Sequence, residues 1–273
     1  MLHGVQNRPP KMRGGTVSKL DLQVFFHYIG DMHAIFIADA HLKNPCDENY
    51  RLLLDFLGNL PTGVDRLFIM GDFFEFWLGD SPAPFPHYAP VLEKLKSLTD
   101  RGVELFLFEG NHDFHLGRYF STNFGARVFP DTTEMVMDNR RIFLGHGDLI
   151  NGNDRSYLIL RAIFRSPLTR LLTRIIPSWI PAWIAVRLGK HSKGKHKNAP
   201  SRWDYPRLIR EFTAERFSAG YDVVVTAHFH CPMLEESEGK SALALGDWIS
   251  QFSYAEWLDG RLELKSYRNE DAR

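Results

Sequence analysis

Cysteine is almost missing from this chain: only Cys46 and Cys231 occur among 273 residues. They lie far apart and form no metal-type pair, so a disulfide framework is excluded and two reduced thiols inside a cell are expected. Net charge is missing as well. Lys and Arg together number 33, as do Asp and Glu. No global field therefore draws the chain to nucleic acid or to a membrane, and any such attraction must come from a local patch. No run of about 18 uncharged apolar residues occurs, so no transmembrane helix is expected. Arg8, Lys11 and Arg13 are followed by no apolar stretch, so no signal peptide is expected either. Internal repeats and low-complexity tracts are also lacking.

What is present suits a soluble core, with 44% hydrophobic and 24% charged residues. Residues 1–31 carry Gly, Pro and charge with little pattern beyond an apolar patch at 24–28, and they read as a flexible leader. From His33 onward, strand-like runs at about 33–38, 66–70 and 103–108 alternate with helical stretches at about 47–59 and 87–99. Further strands are expected at 134–138, 141–144, 222–226, 233–236, 242–245, 254–258 and 262–267, with a helix at 205–219. Strands alternating with helices predict a layered α/β fold, and the hairpin spacing of the last strands predicts a mixed sheet. Residues 153–203 differ in composition: no acidic residue follows Asp154 until Asp204, while Arg and Lys recur throughout. That stretch reads as a helical cap inserted between core segments 32–152 and 204–270.

Chemistry-bearing residues follow the apolar strands. They are Asp39-Ala40-His41, Gly71-Asp72, Gly110-Asn111-His112-Asp113, Gly145-His146 and His228-Phe229-His230. In α/β sheets the carboxyl ends of strands are where sites gather. Each pair alone has a plain explanation as turn chemistry or a satisfied histidine; five in succession do not. Two divalent cations require a bridging carboxylate, for which Asp72 is suited. Imidazoles and one amide oxygen complete the shells without excess negative charge, leaving room for an anionic phosphate.

In this order the motifs resemble the calcineurin-like metallophosphoesterase superfamily. The resemblance implies a four-layer α-β-β-α sandwich with an inserted helical cap. It also implies one cation held by Asp39, His41, Asp72 and His230 and a second by Asp72, Asn111, His146 and His228. His112 would contact phosphate or protonate the leaving oxygen, with Asp113 orienting it. Glu75 stands where the superfamily commonly carries Asp. The His-rich, Cys-free ligand set favours Mn²⁺, Fe or Zn²⁺.

A narrower resemblance, to the lipid A pathway pyrophosphatases acting on UDP-2,3-diacylglucosamine, rests on three segments. These are the run Gly71-Asp72-Phe73-Phe74-Glu75-Phe76-Trp77, then His146-Gly147-Asp148 with Asp154 and Tyr157, and Gly246-Asp247-Trp248. It implies Mn²⁺-dependent hydrolysis to UMP and 2,3-diacylglucosamine 1-phosphate, with Asn111, Asp154 and Tyr157 contacting substrate. His112 replaces the Arg often found there in that family. The alternative is a soluble metallophosphoesterase acting on another nucleotide diphosphate or phosphodiester. In the cap, Leu160, Phe164, Leu168, Leu171, Leu172 and Ile175 recur at helical spacing, with Arg161, Arg165, Arg170 and Arg174 away from them and Trp179 and Trp183 following. A basic amphipathic helix of this kind predicts attachment to an anionic membrane face, so the expected location is cytoplasmic and peripheral on the inner membrane. The expected partner is an anionic nucleotide-lipid substrate; no nucleic acid is expected.

Overall fold

The structure, a computed structural model, describes residues 26–28, 32–79, 86–175 and 203–270. Strands and helices are numbered in chain order. One six-stranded sheet runs β14 (Arg261–Ser266), β13 (Ser253–Leu258), β2 (His33–Ile37), β3 (Arg66–Ile69), β5 (Glu104–Phe108) and β7 (Arg127–Phe129). The other runs β1 (Phe26–Tyr28), β8 (Thr133–Met137), β9 (Arg140–Leu144), β10 (Val223–Thr226), β12 (Lys240–Ala244) and β11 (Met233–Ser237). A short ribbon pairs β4 (Trp77–Leu78) with β6 (Asp113–Phe114). Both sheets are mixed: β2, β3, β5 and β7 are parallel with β13 antiparallel to β2, and β9, β10 and β12 are parallel with β11 antiparallel to β12.

The strand side chains explain the layering. Alternate residues of a strand face opposite sides, and here both sides are apolar. Ala34, Phe36, Phe68 and Phe106 point toward the second sheet and pack with Met135, Ile142, Leu144, Val223, Val225 and Leu243. Phe36, Phe68 and Phe106 are register neighbours, and their rings stack at 4.5 Å spacings. Ile35, Ile37, Leu67, Ile69, Leu105 and Leu107 point the other way. They are covered by α1 (Glu48–Gly58), α2 (Ala89–Asp100) and α3 (Gly117–Phe124). On the far side of the second sheet, Ile209 of α6 (Tyr205–Ser218) packs on Ala244 and Phe229. The result is the expected α-β-β-α sandwich.

Several elements differ from the sequence expectation. Phe26–Tyr28 lies within the segment expected as a leader, yet it forms β1, parallel to β8; its apolar patch supplies the strand. β4, β6 and β7 were not expected, because two or three strand residues are too few to display a period, and the eight-residue α3 was not expected either. In the cap segment, α4 (Arg155–Phe164) and α5 (Pro167–Ile175) replace one continuous amphipathic helix. Pro167 opens α5, and the residue before a proline disfavours helical geometry, so the chain breaks there. A last helix, α7, spans Tyr267–Glu270. Trp179, Trp183, Lys190, Lys193, Lys195 and Lys197 lie outside the described residues. Among the described residues, no helix is long and apolar enough to cross a membrane.

Candidate metal centre

The seven expected ligands follow the ends of β2, β3, β5, β9 and β10, so both sheets contribute to one cleft of about 500 Å³. The backbone turns sharply at these ends. Asp39, His41, Asp72, His228 and His230 all have positive φ, between 44° and 72°. Asp and His tolerate that region better than most residues, but each such position still costs on the order of 1 kcal/mol. Gly110 is required for a different reason: a Cβ there would sit 2.1 Å from Asp72 Oδ1.

Asp72 stands at the centre. Its Oδ1 accepts from the backbone N–H groups of Asn111 (2.7 Å) and His112 (2.8 Å). Its Oδ2 lies 3.6 Å from His41 Nε2 and 3.7 Å from His146 Nε2, between the two halves of the cluster. On one side, Asp39 Oδ1 faces His230 Nε2 at 3.4 Å and His41 Nε2 at 3.8 Å. Asp39 Oδ2 accepts from the N–H of His228. On the other side, the Asn111 amide oxygen is 3.3 Å from His146 Nε2, and His228 packs edge-on against the His146 ring. His146 Nδ1 donates to the Met70 carbonyl, which turns Nε2 toward the cleft.

Charge within the cluster is strongly coupled. Burial would raise Asp39, but the imidazoles of His230 and His41 beside it hold it well below the carboxylate range. Burial likewise opposes ionisation of Asp72, and the charges of His112 and His146 keep it well below its ordinary value. For His146 burial disfavours the imidazolium, yet Asp72 outweighs it and raises the pKa to about 10. His230 is also opposed by burial and lifted to about 10 by Asp247 and Asp39. Burial and the neighbouring His146 push His228 down to about 4. The neighbouring carboxylates thus favour protonated imidazoles at His146, His230 and His41, and a cation bound there would compete with those protons.

The donors fit divalent cations. Asp39 Oδ1 is fully buried and has no hydrogen-bond partner, a costly state for a carboxylate oxygen unless a cation meets it. Ligand atoms of Asp39, His41 and His230 lie within 4.8 Å of one another, as do those of Asp72, His146 and His228. Those of His41, Asp72 and His112 do too. Oxygen and imidazole donors at this density match Mn²⁺, Fe or Zn²⁺ chemistry.

Two expected residues make other contacts. Asp113 is fully buried, and its carboxylate accepts from the backbone N–H groups of Asp72, Phe73 and Gly110. Burial and the Asp72 charge push its pKa up to about 6. Its carboxylate shapes the loops that carry Asp72 and Asn111. His112 instead donates from Nδ1 to the Glu75 carbonyl at 2.9 Å, leaving Nε2 for the cleft. Asp154 is exposed and caps α4 by accepting from Tyr157 N; among the described residues it does not line the cleft. Tyr157 lies nearer, with its ring beside His228 and its hydroxyl on Asp148.

Some contributors had gone unassigned. Glu75 reaches both His41 Nδ1 (3.8 Å) and Lys43 (3.1 Å). Lys43, Asn49 and Ile249 line the cleft mouth. Asp247 lies 3.5 Å behind His230 Nδ1. Its signal was in the sequence, since Gly246-Asp247 follows a strand as Gly71-Asp72 does. The cap arginines were expected to be unopposed, and Arg161 and Arg165 are paired. Arg161 pairs with Asp148 (2.7 Å) and Asp131, and Arg165 with Asp131 (3.3 Å) and Glu109 (4.0 Å). Their acidic partners lie elsewhere in the chain, where a local charge reading does not look.

The chain is similar to several known proteins. A UDP-2,3-diacylglucosamine hydrolase of Haemophilus influenzae (strain PittGG) is 30% identical over 223 residues, 81% of this chain and 92% of that protein. A protein of the same name from Stenotrophomonas maltophilia (strain K279a) is 31% identical over 232 residues, 81% of this chain and 93% of its own. Among solved structures, an archaeal phosphodiesterase aligns with 86% of this chain and 99% of its own at 13% identity and a TM-score of 0.47. The family described as calcineurin-like phosphoesterase matches residues 26–232, and the chain belongs to that family.

Proposed function

We propose that this protein hydrolyses the pyrophosphate bond of UDP-2,3-diacylglucosamine, giving UMP and 2,3-diacylglucosamine 1-phosphate, at a centre of two divalent cations, Mn²⁺ by preference. The observation that carries the reaction class is Asp72 Oδ2 poised between His41 and His146, with the orphaned oxygen of Asp39 beside them. Asp39, His41, Asp72 and His230 would hold one cation, and Asp72, Asn111, His146 and His228 the other. Bound there, the pair would make water acidic enough to ionise near neutral pH and offset charge on phosphorus. His112, fixed through Nδ1, presents Nε2 to the leaving phosphate oxygen. Asp113 holds the loops of Asp72 and Asn111 in register, and Tyr157, anchored by Asp148, forms the wall beside His228.

Two things support the choice of substrate: the name shared by relatives about 30% identical over four-fifths of the chain, and the outer face of the cap helices. Ile159, Leu160, Ile163, Leu168, Leu171 and Leu172 are all exposed there. An apolar face of that kind suits acyl chains at the cytoplasmic surface of a membrane. The test is incubation of the Mn²⁺-loaded protein with UDP-2,3-diacylglucosamine in mixed micelles, reading UMP release, with Asp72→Ala as the inactive control. UMP release abolished by Asp72→Ala is expected. Cleavage of bis(p-nitrophenyl) phosphate without UMP release would overturn the lipid assignment and favour a soluble metallophosphoesterase.

A further inference from the structure

The two halves of the cluster are backed differently. Behind His230, Asp247 is almost fully buried and rigidly held. Its Oδ1 accepts from the N–H groups of Ile249 (2.8 Å), Ser250 (2.7 Å) and Gln251 (3.2 Å), which leaves Oδ2 facing His230 Nδ1 at 3.5 Å. Gln251 closes the arrangement from both ends: its Oε1 accepts from Asp247 N at 2.9 Å, and its Nε2 donates to the His230 carbonyl at 2.9 Å. His230 is thereby fixed between Asp247 and Asp39. His41 has the same pattern, with Glu75 behind Nδ1 and the carboxylates of Asp39 and Asp72 before Nε2. His146, in contrast, rests on the neutral carbonyl of Met70, and His228 is bordered by the rings of His146, Tyr157 and Phe229.

A carboxylate behind an imidazole fixes its orientation and increases its donor strength more than a neutral carbonyl does. Both histidines of the Asp39 half have one. Neither histidine of the Asn111 half does among the described residues. We infer that Asp247 is a positioning residue for His230 and that, together with Glu75, it makes the Asp39–His41–His230 half the tighter cation position, filled first. This rests on the proposed two-cation reading of the site.

The experiment is a Mn²⁺ titration of the full, chelator-stripped chain, reading free Mn²⁺ by electron paramagnetic resonance and heat by calorimetry. Wild type should bind two ions in separable steps, and His230→Ala should remove the tighter one. Asp247→Asn keeps an oxygen for the turn amides but loses the charge; it should weaken the tighter step by about 10- to 100-fold and leave the weaker one unchanged. Circular dichroism of the stripped variant should match wild type. If Asp247→Asn does not fold, Glu75→Gln reads the same half through His41, with the same expected change. Loss confined to the weaker step, equal loss in both steps, or no loss in either variant would overturn the inference while leaving two bound ions in place. No Mn²⁺ binding by wild type would instead remove the two-cation reading itself.

Discussion

The sandwich and the cap helices are built inside out relative to each other. In the sandwich, apolar faces turn inward on both sides of both sheets, and the buried charges are carboxylates gathered at the metal cluster and a few paired sites such as Asp148. On the sandwich-facing side of α4 charge turns inward. Arg161 and Arg165 are 14% and 13% exposed and reach Asp148, Asp131 and Glu109 of the sandwich. The leucines and isoleucines face out, with Ile159 63% and Leu168 65% exposed. Phe164, stacked on Phe114 at 5.2 Å, carries an apolar contact of α4 inward, and its carbonyl accepts from His115 Nε2. Burial of oil stabilises the first region. Oriented ion pairs and a few contacts attach the second, and its oily face remains available.

This difference predicts how each region fails. In the sandwich the largest effect should come from Gly110→Ala. The added Cβ would displace Asp72, and a misplacement of about an ångström costs roughly 10²-fold in rate. Steady-state hydrolysis of bis(p-nitrophenyl) phosphate checks this, with unchanged circular dichroism separating a displaced carboxylate from a lost fold. In the cap, Arg161→Ala leaves Asp148 buried without its cation. The cost should be about 2 kcal/mol, reduced from the full penalty because Asp131 is open to water. Urea unfolding measures it, and faster amide exchange confined to α4 would locate the loss.

Leu168→Asp should do the reverse. An exposed side chain contributes little to folding, so the unfolding midpoint should not move. Removing one half-buried aliphatic contact with lipid should weaken vesicle binding by roughly 1–1.5 kcal/mol, about tenfold. Co-sedimentation with phosphatidylglycerol vesicles reads it, and undiminished binding would show that this face does not meet lipid. The smallest effect belongs to Glu256, on the sandwich surface. Burial opposes its ionisation, but Lys265 and His33 hold its pKa below the ordinary value. A lowered acid pKa contributes stability above the unfolded value, near 4.5, which is lost as pH falls through the folded one. Glu256→Gln should therefore flatten the acid limb of the stability curve by under about 1 kcal/mol, as befits a half-buried pair that solvent still screens. Thermal midpoints taken from pH 3 to pH 6 follow it.

Much of the sandwich and of the metal cluster was legible beforehand. Strand ends are local: an apolar run followed by Gly-Asp, Gly-Asn or His-x-His marks an edge wherever that run goes. Asp72, Asn111, His146 and His228 could each be read from a few neighbours. The roles of Asp113, Asp154 and Arg161 could not. Asp113 sits beside His112 in sequence, but its carboxylate turns to the amides of residues 72, 73 and 110. Asp154 was read by motif as a substrate contact, and the start of α4 claims it as a cap. Arg161 was read with its chain neighbours, which hold no acid, while Asp131 and Asp148 come from loops far from it in sequence.

The amino-acid sequence alone determined the alternation of strands and helices, the strand ends and the set of residues able to hold cations, because hydrophobic periodicity and turn chemistry act over a few residues. Only the tertiary structure decided which carboxylate stands behind which histidine, and which way the cap's charge points. Both depend on ion pairs between segments 13 to 56 residues apart, whose geometry is fixed only when those segments come together in the fold.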